Sequence, residues 1–219
     1  MSPDVLSLPP IMALTRDGIG LSHADQARAL VGAGVRWIQL RVKNASLDAW
    51  LAIARDVVSI AHGAGAIVTI NDRVDVAVAS GADGAHLGVL DGDWVAARAL
   101  LGHTAILGGT VHNADEARRA SASGVLDYVG VGPLRFTATK QDIAPVLGID
   151  GIVSLLAILS DLPAWAIGGI VPRDLPALRS AGLRGVAVSS AMFSDNTSQY
   201  AHFLSAWNTH DTQDRNAHP

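Results

Sequence analysis

Short apolar runs alternate with helical patterns eight times along this chain, and that alternation limits the possible folds more than any other feature. The strand candidates are Ile11 to Thr15, Trp37 to Leu40, Ile67 to Ile70, Gly84 to Leu87, Ala105 to Leu107, Tyr128 to Val131, Trp165 to Ile167 and Gly185 to Val188. Between them, apolar residues recur three and four positions apart. Leu47, Leu51, Ala54, Val58 and Ala61 form one such stripe, capped by Ser46 and stopped at Gly63. Asn113 and Glu116 have the spacing of a capping box, and Asp93 precedes a helix carrying Trp94, Ala97 and Leu101. Such alternation implies βαβ units and a parallel sheet. Eight units in 219 residues predict an α/β fold, a single closed (β/α)8 TIM barrel of small size. An open doubly wound sheet usually has a Gly-rich dinucleotide loop after its first strand, and TRDGIGLSHAD lacks that spacing. One domain is expected over residues 1–208. The last residues, 209–219, have no apolar period and read as a flexible tail.

Composition narrows the function classes. Hydrophobic residues make up 49% and aromatics only 5%, which predicts a core of Ala, Val, Ile and Leu. The absence of Cys excludes disulfides and thiolate metal sites, and fits a reducing, cytoplasmic setting. A net charge of −4 with no basic run argues against nucleic acid as a partner. No apolar stretch approaches the roughly 20 residues of a membrane span. MSPDVLSLPP has no basic residue ahead of its apolar part and does not read as a signal peptide. Small molecules are therefore the expected partners, and the oligomeric state is left open, a homo-oligomer included.

In such a barrel the chemistry sits at the C-terminal ends of the strands, and polar residues collect there. Gln39, Arg41 and Lys43 alternate onto one side of the second strand's exit. Asn71 and Asp72 follow the third strand, and His86 and Asp91 belong to the fourth. Thr110 and His112 follow the fifth, and Thr137, Thr139 and Lys140 the sixth. The seventh ends in Gly168-Gly169 and the eighth in Ser189-Ser190. Arg41, Lys43 and Lys140 offer a guanidinium fork and point charges to phosphate oxygens. Asp72 and Asp91 are hard ligands of the kind Mg2+ prefers beside a substrate phosphate. The glycines and serines match a backbone phosphate site at a short helix N-terminus. Two anion sites are expected, one metal-assisted and one built from backbone N–H groups. Each residue also has a plainer role. Asp72 suits a helix N-cap, Asp91 a turn, and His86 and His112 structural hydrogen bonds. Arg41 and Lys43 suit solvated charges, and the paired glycines a tight turn. Their convergence on one face of one predicted barrel favours ligand binding.

The segments QLRVK, INDRVDVAVASGADGAHLG, GGTVHNADEA, DYVGVGPLRFTATK, AIGGI and GVAVSS run in order from Gln39 to Ser190. In sequence and spacing they resemble the thiamine phosphate synthase family. The resemblance implies a (β/α)8 barrel, a Mg2+ cofactor and a transferase reaction. A pyrimidine methyl diphosphate loses pyrophosphate, and the nitrogen of a thiazole phosphate attacks the exposed methylene carbon. By position it implies Gln39, Arg41, Lys43, Asn71, Thr110 and Lys140 for the pyrimidine diphosphate, with Arg41, Lys43, Lys140 and Thr110 catalytic. Asp72 and Asp91 would hold Mg2+, and Thr137, Thr139, Gly169, Ser189 and Ser190 the thiazole phosphate. Asn71 and Asp72 would then both open a helix and face the diphosphate. Charge separates as the C–O bond breaks, so a metal and cations aimed at the leaving group suit the reaction. The sequence departs from the family pattern at three places. Thr110 stands where Ser is usual, Val89 and Leu90 replace Gln and a polar residue, and IMALTRD lacks an aromatic near Met12. Two alternatives are a thiazole tautomerase-like paralogue with His112 as base and a non-catalytic binder of thiamine precursors.

Overall fold

The computed structural model describes residues 7–136, 145–193 and 199–209. Eight parallel strands close into a barrel in sequence order, as the alternation predicts. They are β1 (Ile11–Leu14), β2 (Trp37–Leu40), β3 (Ile67–Asn71), β4 (Gly84–Leu87), β5 (Ile106–Val111), β6 (Tyr128–Val131), β7 (Ala164–Ile167) and β8 (Gly185–Val188). The helices that return the chain are α1 (His23–Gly32), α2 (Leu47–Gly63), α3 (Val74–Ser80), α4 (Trp94–Leu101), α5 (Ala114–Ser123), α6 (Gly148–Leu159), α7 (Leu175–Ser180) and α8 (Gln199–Asn208). Closure is made by β8 on β1, with Met12 beside Ala187. Among the described residues, no helix is long and apolar enough to cross a membrane. Residues 210–219 of the expected tail lie outside the described residues.

The core has two layers of different chemistry. Between strands and helices it is largely aliphatic, with Ile38, Leu40, Val68, Ile70, Val129 and Val131 meeting Ala54, Val58 and Ile152. Inside the barrel it is aromatic, against the expectation from composition. Trp37, Tyr128 and Trp165 pack edge to face with ring centroids 5.0, 5.3 and 5.5 Å apart. With Leu8, Met12, Leu14 and Ile106 they fill the interior. A few large rings fill a narrow tube, so a low aromatic count does not forbid an aromatic centre.

Helix ends follow their capping residues. The Ser46 hydroxyl accepts the Ala49 N–H, Asp93 that of Ala96, and Asn113 that of Glu116. The buried stripe of α2 differs from the predicted one. Leu47 is exposed, while Trp50 and Val57 join Ala54, Val58 and Ala61. Helix α2 includes Gly63 and stops at Ala64, where Gly65 turns left-handed at φ 68°. Strand β5 is longer than the predicted Ala105 to Leu107, and Gly108 and Gly109 lie within it. They serve close approach rather than a turn. A Cβ on Gly108 would sit 2.3 Å from the Tyr128 ring, and one on Gly109 2.8 Å from Leu126. Thr110 is therefore a strand residue.

Candidate active site

At the mouth formed by the strand C-termini, the loop after β1 is tied to the exit of β2. The Thr15 hydroxyl accepts the Arg41 N–H at 3.1 Å, and the Asp17 carboxylate accepts the Lys43 N–H at 3.0 Å. His23 bridges the two, with Nδ1 2.9 Å from the Thr15 hydroxyl and Nε2 3.1 Å from Asp17. Backbone N–H groups of the two expected anion-binding residues are thus fixed. Arg41 is half-buried and Lys43 exposed. The sequence reading missed Thr15, Asp17 and His23. Their signal was the polar run TRD directly after a strand. Gln39 lies deeper than expected, buried inside the barrel, where its amide donates to Met12 Sδ at 3.3 Å.

Asn71 ends β3 and is buried, beside His86 on β4. Asp72 does not cap α3. Arg73 holds the N-cap position without a side-chain capping bond, so the expected helix-opening role is corrected. Asp72 instead takes a left-handed φ of 67°, with its N–H donating to the His86 carbonyl at 2.9 Å. Such a backbone costs a non-glycine residue about 1–3 kcal/mol, and strain of this kind clusters at functional positions. Asp91 is a turn residue on the next loop. Its carboxylate accepts the Gly88 N–H at 2.7 Å. Asp72 and Asp91 are both exposed on loops that leave neighbouring strands. Among the described residues, no three His, Asp or Glu side chains form a ready metal cage. Two carboxylates suit Mg2+ none the less, because substrate phosphates and water commonly complete its shell. Val89 is half-buried and Leu90 is 96% exposed.

Thr110 and His86 meet inside the mouth, with His86 Nε2 2.9 Å from the Thr110 hydroxyl. The other ring nitrogen, Nδ1, lies 3.0 Å from the Tyr128 hydroxyl. His112 is held differently. Its N–H donates to Glu116 at 2.6 Å, and its Nδ1 lies 3.1 Å from the same carboxylate oxygen.

The exits of β6 and β7 are stitched together by a residue that the sequence reading also missed. Arg135 pairs bidentately with buried Asp174, at 2.6 Å for Nη2, and donates to the Gly169 carbonyl at 3.1 Å. Asp174 also accepts the Val171 N–H at 2.9 Å. Burial opposes the Asp174 charge, but Arg135 and the Val171 N–H prevail and hold its pKa below the usual carboxylate range. The pair frames the loop in which Gly168 and Gly169 take φ values of 98° and 65°. A Cβ at Gly168 would strike Pro133 at 2.6 Å, so glycine is required there. Ser189 and Ser190 follow β8, and Ser190 opens a single 3-10 turn, Ser190–Phe193. Thr137, Thr139 and Lys140 lie outside the described residues.

The structure therefore gathers Arg41, Lys43, Asn71, Asp72, Asp91, Thr110, Gly169, Ser189 and Ser190 at the strand exits of one barrel. Comparison with known proteins points to one family. The family model for thiamine monophosphate synthase matches residues 11–192. The thiamine-phosphate synthase of Bacteroides fragilis is 38% identical over 183 residues, covering 82% of this chain and 89% of that protein. The Agrobacterium fabrum thiamine-phosphate synthase is 44% identical over 171 residues, covering 76% of each. The solved thiamine phosphate pyrophosphorylase from Pyrococcus furiosus superposes with a TM-score of 0.81 at 27% identity, covering 91% of this chain and 95% of that one. The match spans every strand from β1 to β8 and each described mouth residue, and the chain belongs to the thiamine monophosphate synthase family.

Proposed function

We propose that this protein is a thiamine phosphate synthase that joins a hydroxymethylpyrimidine diphosphate to a thiazole phosphate and releases pyrophosphate. The observation that carries the reading is the family match over the whole barrel, with its polar residues at one mouth. Gln39, Arg41, Lys43, Asn71, Thr110 and Lys140 take the pyrimidine diphosphate. Cations that bind its oxygens gain strength as the C–O bond opens and charge moves onto the leaving group. Thr137, Thr139, Gly169, Ser189 and Ser190 take the thiazole phosphate, whose nitrogen attacks the methylene carbon. The left-handed glycine loop and the short turn after β8 supply backbone N–H donors for it. No side-chain nucleophile is required. Asp72 and Asp91 are the residues that would hold Mg2+, which when bound stabilises negative charge on the departing diphosphate. The test is formation of thiamine phosphate from both substrates, with and without Mg2+. Product that depends on Mg2+ is expected, and no product in its presence refutes the reading.

A second reading rests on the His112–Glu116 contact, because the carboxylate holds the imidazole in place as a proton-transferring base needs. On that reading the protein moves a proton on thiazole phosphate. Isomerisation of thiazole phosphate without consumption of the pyrimidine diphosphate would select it.

A further inference from the structure

Residues 15–17, directly after β1, are pinned one by one. The Thr15 N–H donates to the Gln39 carbonyl at 3.0 Å, so the ladder with β2 runs one residue past the strand. The Thr15 hydroxyl and the Asp17 carboxylate accept the Arg41 and Lys43 N–H groups, and both meet His23. Between them, the Arg16 backbone is gripped by Gln26 of α1, which is fully buried. Gln26 Oε1 accepts the Arg16 N–H at 2.9 Å, and Gln26 Nε2 donates to the Arg16 carbonyl at 2.7 Å.

The Arg16 side chain has no such partner. It is half-buried, and its Nε is buried without a hydrogen bond. Among the described residues Arg16 forms no ion pair, whereas Arg28, Arg73, Arg98, Arg118 and Arg135 each pair with a carboxylate. Asp17, the next residue, already serves Lys43 and His23. A buried donor left unpaired is costly, more so on a charged group, and folded proteins carry few of them.

The strand geometry says where this cation lies. Met12 and Leu14 pack inside the barrel with Trp37 and Tyr128, while Thr15 faces α1 through His23. Alternation therefore turns Arg16 to the axial side, above Leu14 at the mouth. On β2, Gln39 points inward to Met12 Sδ, and Arg41 follows it by one alternation. Leu14 stands beside Gln39 in register, and Arg16 and Arg41 each come two residues later. Two guanidiniums on the same side of neighbouring strand exits repel one another without a ligand. An anion with several oxygens turns that repulsion into a shared grip, because each planar fork binds oxygens in pairs.

We propose that Arg16 is a further anion-binding residue of the mouth, and that its guanidinium and that of Arg41 hold oxygens of one diphosphate group. Gln26 fixes the backbone from which Arg16 reaches. The identity of the anion as the pyrimidine diphosphate rests on the function proposed above, but the missing partner of Arg16 does not. Strand β1 also pairs with β8, whose exit carries Ser189 and Ser190, so the thiazole phosphate is the competing occupant.

The test sets binding against stability. In calorimetric titration of the whole protein with inorganic pyrophosphate in Mg2+ buffer, Arg16→Met and Arg16→Gln should each weaken binding at least about tenfold, as loss of a bond between charged groups does. Arg16→Lys keeps the charge without the fork and should fall between them and the wild type. Arg28→Gln removes one positive charge from the exposed face of α1 and should stay within about twofold. Without ligand, Arg16→Met should melt roughly 2–4 °C higher, because an apolar chain replaces an unpaired charge. Unchanged pyrophosphate binding in both Arg16→Met and Arg16→Gln overturns the inference. So does a lower melting temperature of unliganded Arg16→Met, which would mean that the guanidinium serves the fold. A loss confined to thiazole phosphate, titrated in the same way, overturns the assignment to the diphosphate. Thiamine phosphate formation by the wild type with unchanged pyrophosphate binding in both variants would overturn the inference and leave the function standing. Weakened pyrophosphate binding in both, with no thiamine phosphate from the wild type, would support the inference and overturn the function.

Discussion

Gly108→Ala adds one methyl group at the centre of the barrel and should be among the most damaging single changes available. The new Cβ would lie 2.3 Å from Tyr128 Cζ, 2.4 Å from Cε1 and 2.6 Å from His86 Nδ1. Ordinary carbon contacts are about 3.5–4.0 Å, so the ring must retreat by more than about 1 Å. It has no room, because Tyr128 is fully buried and wedged edge to face between Trp37 and Trp165. Overpacking of this kind costs about 1–3 kcal/mol, and a site with no slack belongs at the upper end. Breaking the His86–Tyr128 hydrogen bond adds about 1 kcal/mol. The expected loss is about 3–4 kcal/mol, a large fraction of the stability of an ordinary domain. At a urea m-value of about 2 kcal/mol/M, the unfolding midpoint should fall by about 1.5–2 M with the slope unchanged. Gly63→Ala is the control. Its Cβ meets nothing within 4 Å at the end of α2, so the same methyl should stabilise by about 0.4–1 kcal/mol. In the double variant Gly108→Ala with Tyr128→Leu, much of the loss should return, with a coupling above about 1 kcal/mol. A midpoint for Gly108→Ala within experimental error of the wild type would refute the packing described for Tyr128 and His86.

Asp91→Asn keeps an acceptor for the Gly88 N–H but lacks the charge for a metal. Folding should be unchanged and turnover in limiting Mg2+ should fall at least about tenfold, or 1.4 kcal/mol, so full activity would remove Asp91 from the metal site. The depressed pKa of Asp174 stabilises the fold above the unfolded carboxylate value of about 3.9, and that stabilisation drains as pH falls through the lower folded value. Melting temperatures measured from neutral to acid pH should show this loss in the wild type and a smaller one in Asp174→Asn. Val89→Gln should lower the Michaelis constant for the pyrimidine diphosphate and leave that for thiazole phosphate nearly unchanged, because a buried substrate group regains a partner worth about 1–3 kcal/mol. A raised constant or an unfolded variant would show instead that Val89, which is half-buried, belongs to the packing.

The barrel was legible because βα alternation is a local signal, repeated eight times. Where the reading erred, local signals were ambiguous. Gly108-Gly109 looks like the end of a strand, yet those glycines answer to Tyr128 and Leu126, which lie many residues away. Asp72 has the composition of an N-cap, but its left-handed backbone depends on the loop being tied to β4. The mouth residues were placed by strand periodicity together with the rule that barrel chemistry follows strand ends. Arg135 and Asp174 were invisible for the opposite reason. They lie 39 residues apart on different exits, and nothing within either segment announces the other. The same holds for Thr15, Asp17 and His23, which act through the backbone just after β2.

Strand register gives the barrel interior an evolutionary consequence. Tyr128 stands directly beside Gly108, and Trp165 directly beside Gly185. In each pair the large ring occupies the volume that the glycine vacates, although a Cβ on Gly185 would meet the Pro10 carbonyl oxygen at 2.1 Å as well as Trp165 Nε1 at 2.2 Å. Neither member can drift alone: enlarging the glycine first crowds the ring, and shrinking the ring first leaves a void. Lineages should therefore exchange Gly108 and Tyr128 together, large for small across neighbouring strands, or keep both, whereas the Pro10 carbonyl holds Gly185 whatever stands at position 165. Among relatives, a methyl at the position of Gly108 should be accompanied by a smaller side chain at that of Tyr128, and the two sites should covary although 20 residues of chain separate their numbers.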